Sequence, residues 1–529
     1  MNIETFYKSV INGQDNVLSH LTGPMSQDIK ETVDMVLYHS SKVDVDKNTL
    51  SNRKKISGVS RSFHKKADTF SSNVSEALNA LQEEDTILIE SAHQPNLFPY
   101  SGMMIKPVLV HIAAEFLREK GFNVVEIFGS LDRNDLKDGW TRRTALPDVD
   151  SKEGILTIRK TIPSKKNLFI SVSKPDVKEL NQWKDNLVLW VKRNRKRINA
   201  ISRQLFDRDV IDPKREQFFF SQIKEAYTLW EDISDTADNY GTFNSFFLSK
   251  LFNEQWGYPA LFVPYSSSIH IFEKEIMTIM RDSDRYVGSY NKHRKEVNGV
   301  IKIDFRSVDI NHIPFWYVCQ CGRKIRLMKH NDLIMGKCGN CGENFESDIT
   351  NINKYCGDLE PTAISRHLIS FEGLKPVMYV SGWGAMPFTL VARGIADDLE
   401  MYFPPVIPFR KKERYYGIGQ LRAFLELRNR KILFSNLSNR IRSLEINAKR
   451  LREQGDIREF KDINQEIRDL KAIQNTLNCY PSILDYWVNF GLKETRDNWE
   501  EFIKKHNFWD EVIRWPISEK LSILMDHKN

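Results

Sequence analysis

No apolar run in this 529-residue chain approaches the roughly 20 residues needed to cross a membrane. The longest, VLVHIAAEFL and YPALFVPY, stop well short. The opening stretch MNIETFYKSVINGQDN lacks the basic start and apolar core of a secretory signal, so the expectation is a cytoplasmic protein with no membrane contact. Charge of one sign is never gathered in a block. The 77 basic and 70 acidic residues leave a net charge of +7, which permits a phosphate-bearing ligand without announcing a nucleic-acid binder. Six cysteines are too few for a disulfide framework in a chain of this length. G-x-G-x-x-G and G-x-x-x-x-G-K-[ST] are both missing, which removes the dinucleotide fingerprint and the P-loop. There is no internal repeat and no low-complexity segment.

What is present divides the chain. Residues 1–84 read as a polar, helical region with a Ser- and Lys-rich middle, SNRKKISGVSRSFHKKADTFSSNV. From DTILIES onward, short β-rich runs alternate with amphipathic helices (TILIESA, a helix over 102–120, NVVEIFGS, YPALFVPY, KPVMYVSGWG). That alternation predicts an α/β core with a parallel sheet, its first part at 85–312 and its second at 347–410. The helical stretch 180–250 is expected to pack on that sheet. Over 411–529, Leu437, Ile441, Leu444, Ala448 and Leu451, then Phe460, Ile463, Ile467 and Leu470, recur at heptad spacing around Gly455 and Asp456. They predict an antiparallel helical hairpin, either folded onto the body or projecting as a coiled-coil arm.

Residues 313–346 form an insert. FWYVCQCGRKIRLMKHNDLIMGKCGNCGENFE sets Cys319, Cys321, Cys338 and Cys341 as C-x-C and C-x-x-C, each pair followed by glycine. Four thiolates in that pattern suit a tetrahedral Zn²⁺ with no open position, so the expectation is a structural, non-catalytic zinc ribbon. The basic neighbours Arg323, Lys324, Arg326 and Lys329 either touch a phosphate or form a solvated face, and the solvated face is preferred. Cys356 and Cys479 stand alone and read as packing.

The densest functional signal is ESAHQPNLFPYSGMMIKPVLVHIAAEFLREKGFNVVEIFGSLDRND, residues 90–135. A strand, a polar loop and a helix N-terminus in that order create an anion site, because unpaired N–H groups and the helix dipole face one point. His93, Gln94 and Asn96 would lie there, with Lys106 early in the helix. Asp132 and Asp135 end the second strand and either bind an amine, a ribose or a metal, or cap a helix. Ser381, Gly382 and Gly384 in YVSGWGAMPF follow another strand, where glycine allows close backbone approach. Arg366 and Arg410 offer guanidinium groups for a carboxylate or phosphate.

The first half of this pattern resembles a class I aminoacyl-tRNA synthetase or related nucleotidyltransferase, without its H-I-G-H or K-[ML]-S-K-S motifs. More of the chain, roughly 85–480, resembles the bacillithiol-pathway cysteine-adding enzymes (BshC, putative cysteine ligases). SAHQPNLFPYSG matches the family's T-G-Q-Q-x-G-L-F loop at Gln94, Leu97 and Phe98, and Ile105–Lys106 matches its Y-K pair. DRND matches E-D-H-D, keeping Asp132 and Asp135 and placing Asn134 where the family has His. LEPTAISRHL resembles P-x-x-x-x-R-P through Arg366. YVSGWGAMPF resembles Y-V-G-G-P-G-E through Gly382 and Gly384, with Ala385 in place of the glutamate. FPPVIPFR resembles M-P-x-x-x-P-R through Arg410. The ribbon is an addition to that family pattern.

The resemblance implies a Rossmann-like nucleotidyltransferase core that binds ATP or ADP. The implied reaction joins cysteine or a related amino acid to an amine-bearing small molecule such as an amino-sugar conjugate. Gln94, Asn96 and Lys106 would orient phosphate or carboxylate, with Lys106, Asp132 and Asp135 as the catalytic set. Dimerisation through the hairpin belongs to the same expectation. Two other readings stand beside it: a synthetase-like protein whose ribbon and basic hairpin hold RNA, and a non-catalytic scaffold.

Overall fold

The computed structural model describes residues 1–13, 18–136, 139–162, 168–409 and 412–515. Its centre is a five-stranded sheet of β1 (Ile87–His93), β2 (Val124–Ser130), β3 (Leu261–Pro264), β4 (Met378–Gly382) and β5 (Val406–Phe409). The strand order is β5-β4-β1-β2-β3 and every pairing is parallel. The chain therefore builds outward from β1 in one direction and then crosses back to add β4 and β5 on the other side. β1 and β2 are buried along nearly their whole length. Their sequences show no alternation because a parallel sheet is covered on both faces.

Two helices matter most for the strand ends. Helix α1 (Lys47–Lys66) closes the outer edge of β3, where the Phe262 N–H donates to His64 Nε2 at 3.1 Å. Burial holds His64 neutral, with its pKa pushed down to about 3, so its ring nitrogen is free to accept. Helix α2 (Ser101–Glu119) carries the chain from β1 to β2 and packs along β1, β2 and β4. One apolar cluster runs from Phe6 to Trp515, so the first helices and the last described segment share the core of the sheet.

The stretch 180–250 behaves differently from expectation. Helices Val177–Phe206 and Pro213–Thr236 pack on each other, and the first of them also lies on Ile418–Asn429, away from the sheet. Tyr240–Ser249 does reach the sheet end, where Ser245 and Ser130 share a hydrogen bond of 2.7 Å. Tryptophan accounts for much of this. Trp183 and Trp190 are buried and need acceptors for their indole N–H groups. The Arg159 and Pro147 carbonyls supply them at 3.1 and 2.8 Å, from a β-hairpin of Arg143–Pro147 and Ile155–Arg159 that the sequence pattern does not announce.

The cysteine insert belongs to a second, antiparallel sheet. Its strands are His312–Val318, Lys324–His330, Leu333–Lys337, Asn344–Asp348 and Leu359–Pro361. The last of these pairs with the first, so the unit extends beyond residue 346. Near the C-terminus, helices Leu437–Gln454 and Ile457–Asn478 meet at Gly455, whose φ of +79° suits glycine. They bury Leu437, Ile441, Leu444 and Ala448 with Ile467, Leu470 and Ile473 in a small cluster that also takes in Ala423 and Leu427 of the preceding helix. Among the described residues, no helix is long and apolar enough to cross a membrane.

Candidate functional site

In an open parallel sheet, the carboxyl ends of the strands beside the point where strand order reverses form a crevice. Here that point lies between β1 and β4. Asp132 is buried two residues beyond β2, and burial pushes its carboxyl up to about 6 against the pull of two hydrogen bonds from Ser266. The Ser266 N–H donates to Oδ1 at 2.9 Å, and the Ser266 hydroxyl donates to Oδ2. Asp132 thus tethers the end of β2 to the turn after β3. It receives a helix-turn N–H, but from a distant segment rather than from its own.

Two residues on, the Asn134 side-chain oxygen accepts from Arg366 Nη2 at 3.0 Å. The same Nη2 lies 3.0 Å from Glu360 Oε1, and Lys324 Nζ lies 3.7 Å from that oxygen. Arg366 stands on helix α3 (Ala363–Leu374), with its guanidinium over the Tyr265 ring at 5.5 Å. Glu360 and Lys324 are ribbon residues. Arg133 adds a further tie, donating to the Gly357 carbonyl at 2.6 Å. The ribbon is therefore seated against the strand ends. The expectation that Lys324 belongs to a solvated face is corrected: its side chain is only 14% exposed, because Glu360 and Arg366 close over it. Lys329 pairs with Asp284. Asp135 bridges to the backbone at Leu168, and its charge acts on Lys324.

The loop after β1 forms a separate group. Lys106 Nζ is buried and donates to the Ala92 carbonyl at 3.2 Å, and desolvation pulls its pKa down to about 7. His93, beside it, is held near 3 by burial and by the Lys106 charge, and its Nδ1 lies 2.9 Å from the Gln94 carbonyl oxygen. Asn96 is buried with neither amide atom partnered among the described residues. Ser381 and Gly382 end β4, and a side chain at Gly382 or Gly384 would meet open space. Between the two glycines, Trp383 packs edge-on to Tyr7 at 5.6 Å and to Trp509 at 5.1 Å, so the chain's first helix and its last described segment hold this loop. Arg410 lies outside the described residues.

Four cysteines gather at the ribbon tip. Cys319 and Cys341 sulfurs are 3.4 Å apart, those of Cys321 and Cys338 are 3.5 Å apart, and all four lie within 4.8 Å of one another. Four thiolates bonded to one ion at about 2.3 Å sit roughly 3.8 Å apart, so the set has the dimensions of a metal site. Each pair is shaped by a tight turn. Gly322 N–H reaches the Cys319 carbonyl at 2.8 Å, and Gly342 N–H reaches that of Cys338 at 3.1 Å. Both glycines hold φ +79°, which a side chain would resist.

Large cavities also lie beside the segment that leaves β1. One of about 650 Å³ is lined by Phe98, Tyr100, Trp140, Ile155 and Tyr480. Its neighbour of about 610 Å³ shares Arg143 and adds Arg142, Arg159 and Lys160.

Of the residues singled out from sequence, the structure brings Asn134 and Arg366 into direct contact, with Asp132 within reach of the same charges, and sets His93 beside Lys106. Three polar residues of this region were missed: Ser266, Glu360 and Glu90. Glu90 is buried mid-strand on β1, takes a hydrogen bond from Ser370 at 3.3 Å, and is pushed up to about 8 by desolvation. A glutamate inside the run TILIESA was the available signal, since a charged residue within a fully buried strand is costly unless it serves a purpose. A scan against protein-family models and a search of curated proteins each returned no match.

Proposed function

We propose that this chain is a ligase of the BshC type, joining cysteine or a related amino acid to an amine-bearing small molecule on a Rossmann-like, nucleotide-binding core. The observation that carries this reading is the constellation at the strand ends, where Asp132, Asn134, Arg366 and Glu360 converge beside the reversal of strand order. Such a site offers positioning and charge complementarity and contains no activated nucleophile, which suits amide formation from an activated carboxyl. Asp132, with its raised pKa, is the candidate general base for the acceptor amine. Lys106 and the loop at Gln94 and Asn96 lie where a nucleotide phosphate would approach α2.

We assign Zn²⁺ to the four cysteines, in a structural role. An all-thiolate set leaves no coordination position for water, and the metal's contribution is to hold the ribbon against the strand ends.

A second reading, binding of an anionic macromolecule, rests on the arginine-lined cavity and on exposed Trp140 and Tyr480 beside it. The hairpin lends it less support, because Arg440, Lys471 and Arg430 are paired with Glu466, Glu445 and Asp469.

Thermal shift with ATP, ADP, cysteine, other amino acids and amino sugars tests the proposal. A ligand at a hundredfold excess over its Kd adds about 2.7 kcal/mol. Stabilisation by a nucleotide and by cysteine, with the cysteine effect lost in Asp132→Asn, is the expected result. A flat panel with salt-sensitive RNA binding would overturn the ligase reading in favour of the second.

A further inference from the structure

The Glu360–Arg366 pair carries more than a salt bridge. Glu360 is 1% exposed, and only its Oε1 is occupied, by Arg366 and Lys324. Its Oε2 has no hydrogen-bond partner among the described residues, and neither does the buried Nε of Arg366. One acceptor and one donor are thus left open on two charged groups already in contact. An unsatisfied buried polar atom costs about 1–3 kcal/mol, more when charged, so a matching group is needed. The pair lies just beyond the carboxyl ends of the strands, tied to Asn134 and covered by Tyr265.

We infer that Glu360 and Arg366 together recognise an α-amino-acid zwitterion, with Glu360 Oε2 accepting from the ammonium and Arg366 donating to the carboxylate. This rests on the reading that the strand-end crevice holds an amino-acid substrate, and it names the groups that select it. It also gives the ribbon a task. Glu360 lies on Leu359–Pro361, which pairs with Phe315–Tyr317, and that strand runs directly into Cys319. The cysteine cluster is then the clamp that holds the ammonium acceptor in place.

Cysteine, 3-mercaptopropionate (no amine) and cysteamine (no carboxylate) are the probes, titrated calorimetrically into the full-length, metal-loaded protein. Wild type is expected to bind cysteine at least tenfold more tightly than either truncated probe. Glu360→Gln should lose that preference over 3-mercaptopropionate while binding 3-mercaptopropionate as wild type does. Arg366→Gln should lose the preference over cysteamine. Glu360→Asp should retain part of the selectivity, which a purely structural role would not predict. Cysteine binding equally well to wild type and Glu360→Gln would overturn the assignment and leave the ligase reading standing. No binding of any amino acid to wild type would remove both. Equal binding of all three probes to every variant would show that solvent, and no substrate group, completes the pair.

Discussion

Glu90 shows how much a single residue inside the sheet can dictate. Its carboxyl is held near 8 in the fold, against 4.5 when exposed, because burial disfavours the charge more than the Ser370 hydroxyl relieves it. Below about pH 4.5 both states are protonated and Glu90 costs nothing. Between 4.5 and 8 the unfolded chain has released its proton and the folded one has not, so stability falls as pH rises, by up to about 1.4 kcal/mol per unit. Glu90→Gln is therefore expected to gain on wild type across that window, reaching the order of 2–4 kcal/mol, and to stay level above it. Urea unfolding of both proteins at several pH values checks this, and a pH-independent difference would refute it. Gly154 sets a steric limit of the same kind. With φ +76° and the Ala472 carbonyl oxygen 2.0 Å from where a Cβ would sit, Gly154→Ala should destabilise by roughly 1–3 kcal/mol, read as a lower urea midpoint.

Among elements, the ribbon and the helical pair make opposite demands. The ribbon buries Ile325, Leu327, Ile334 and Phe345, a small core of the size that metal usually supplements. On the proposed zinc assignment, chelation under reducing conditions, or Cys338→Ser, is expected to release one metal ion and lower the melting temperature. Hydrogen exchange should rise in 312–361 and, through Glu360 and Arg133, in 131–136. Unchanged exchange at 131–136 would mean that the metal does not brace the strand ends. The helical pair has a seam that the heptad spacing marks residue by residue, from Leu437 to Leu470, because a two-helix interface repeats with the helix itself. Its docking on the body was not legible. Thr476 reaches the Gly154 carbonyl at 2.7 Å, in a hairpin that no local pattern foretells.

At the scale of the molecule, one apolar cluster extends from Phe6 to Trp515, and the helical pair shares a separate, smaller one with Ala423 and Leu427. Opening of the pair exposes this smaller cluster and its seat on Ile418–Asn429, whereas opening of the first helices breaks into the sheet's core. Native-state hydrogen exchange should accordingly find 437–478 opening at a lower free energy than β1, β2 and α2. Protection in 437–478 equal to that of the sheet would contradict the separation, or point to a second chain covering the seam.

The sequence by itself determined the parallel strands, the cysteine cluster and the heptad seam. Each depends on neighbours in the chain: apolar runs between helices, ligand pairs on tight glycine turns, and a helical repeat. It also pointed to Asp132, Asn134 and Arg366, since residues at strand ends gather where a parallel sheet gathers its strand ends. Tertiary structure alone decided what those residues face. Ser266 reaches Asp132 from 134 positions away, and Glu360 meets Asn134 only through Arg366 on a later helix. Lys324 looked like surface charge because strand alternation says which side a residue takes and never what will cover it. Burial and charge pairing between distant segments are properties of the packed chain, and the chemistry of this site rests on them.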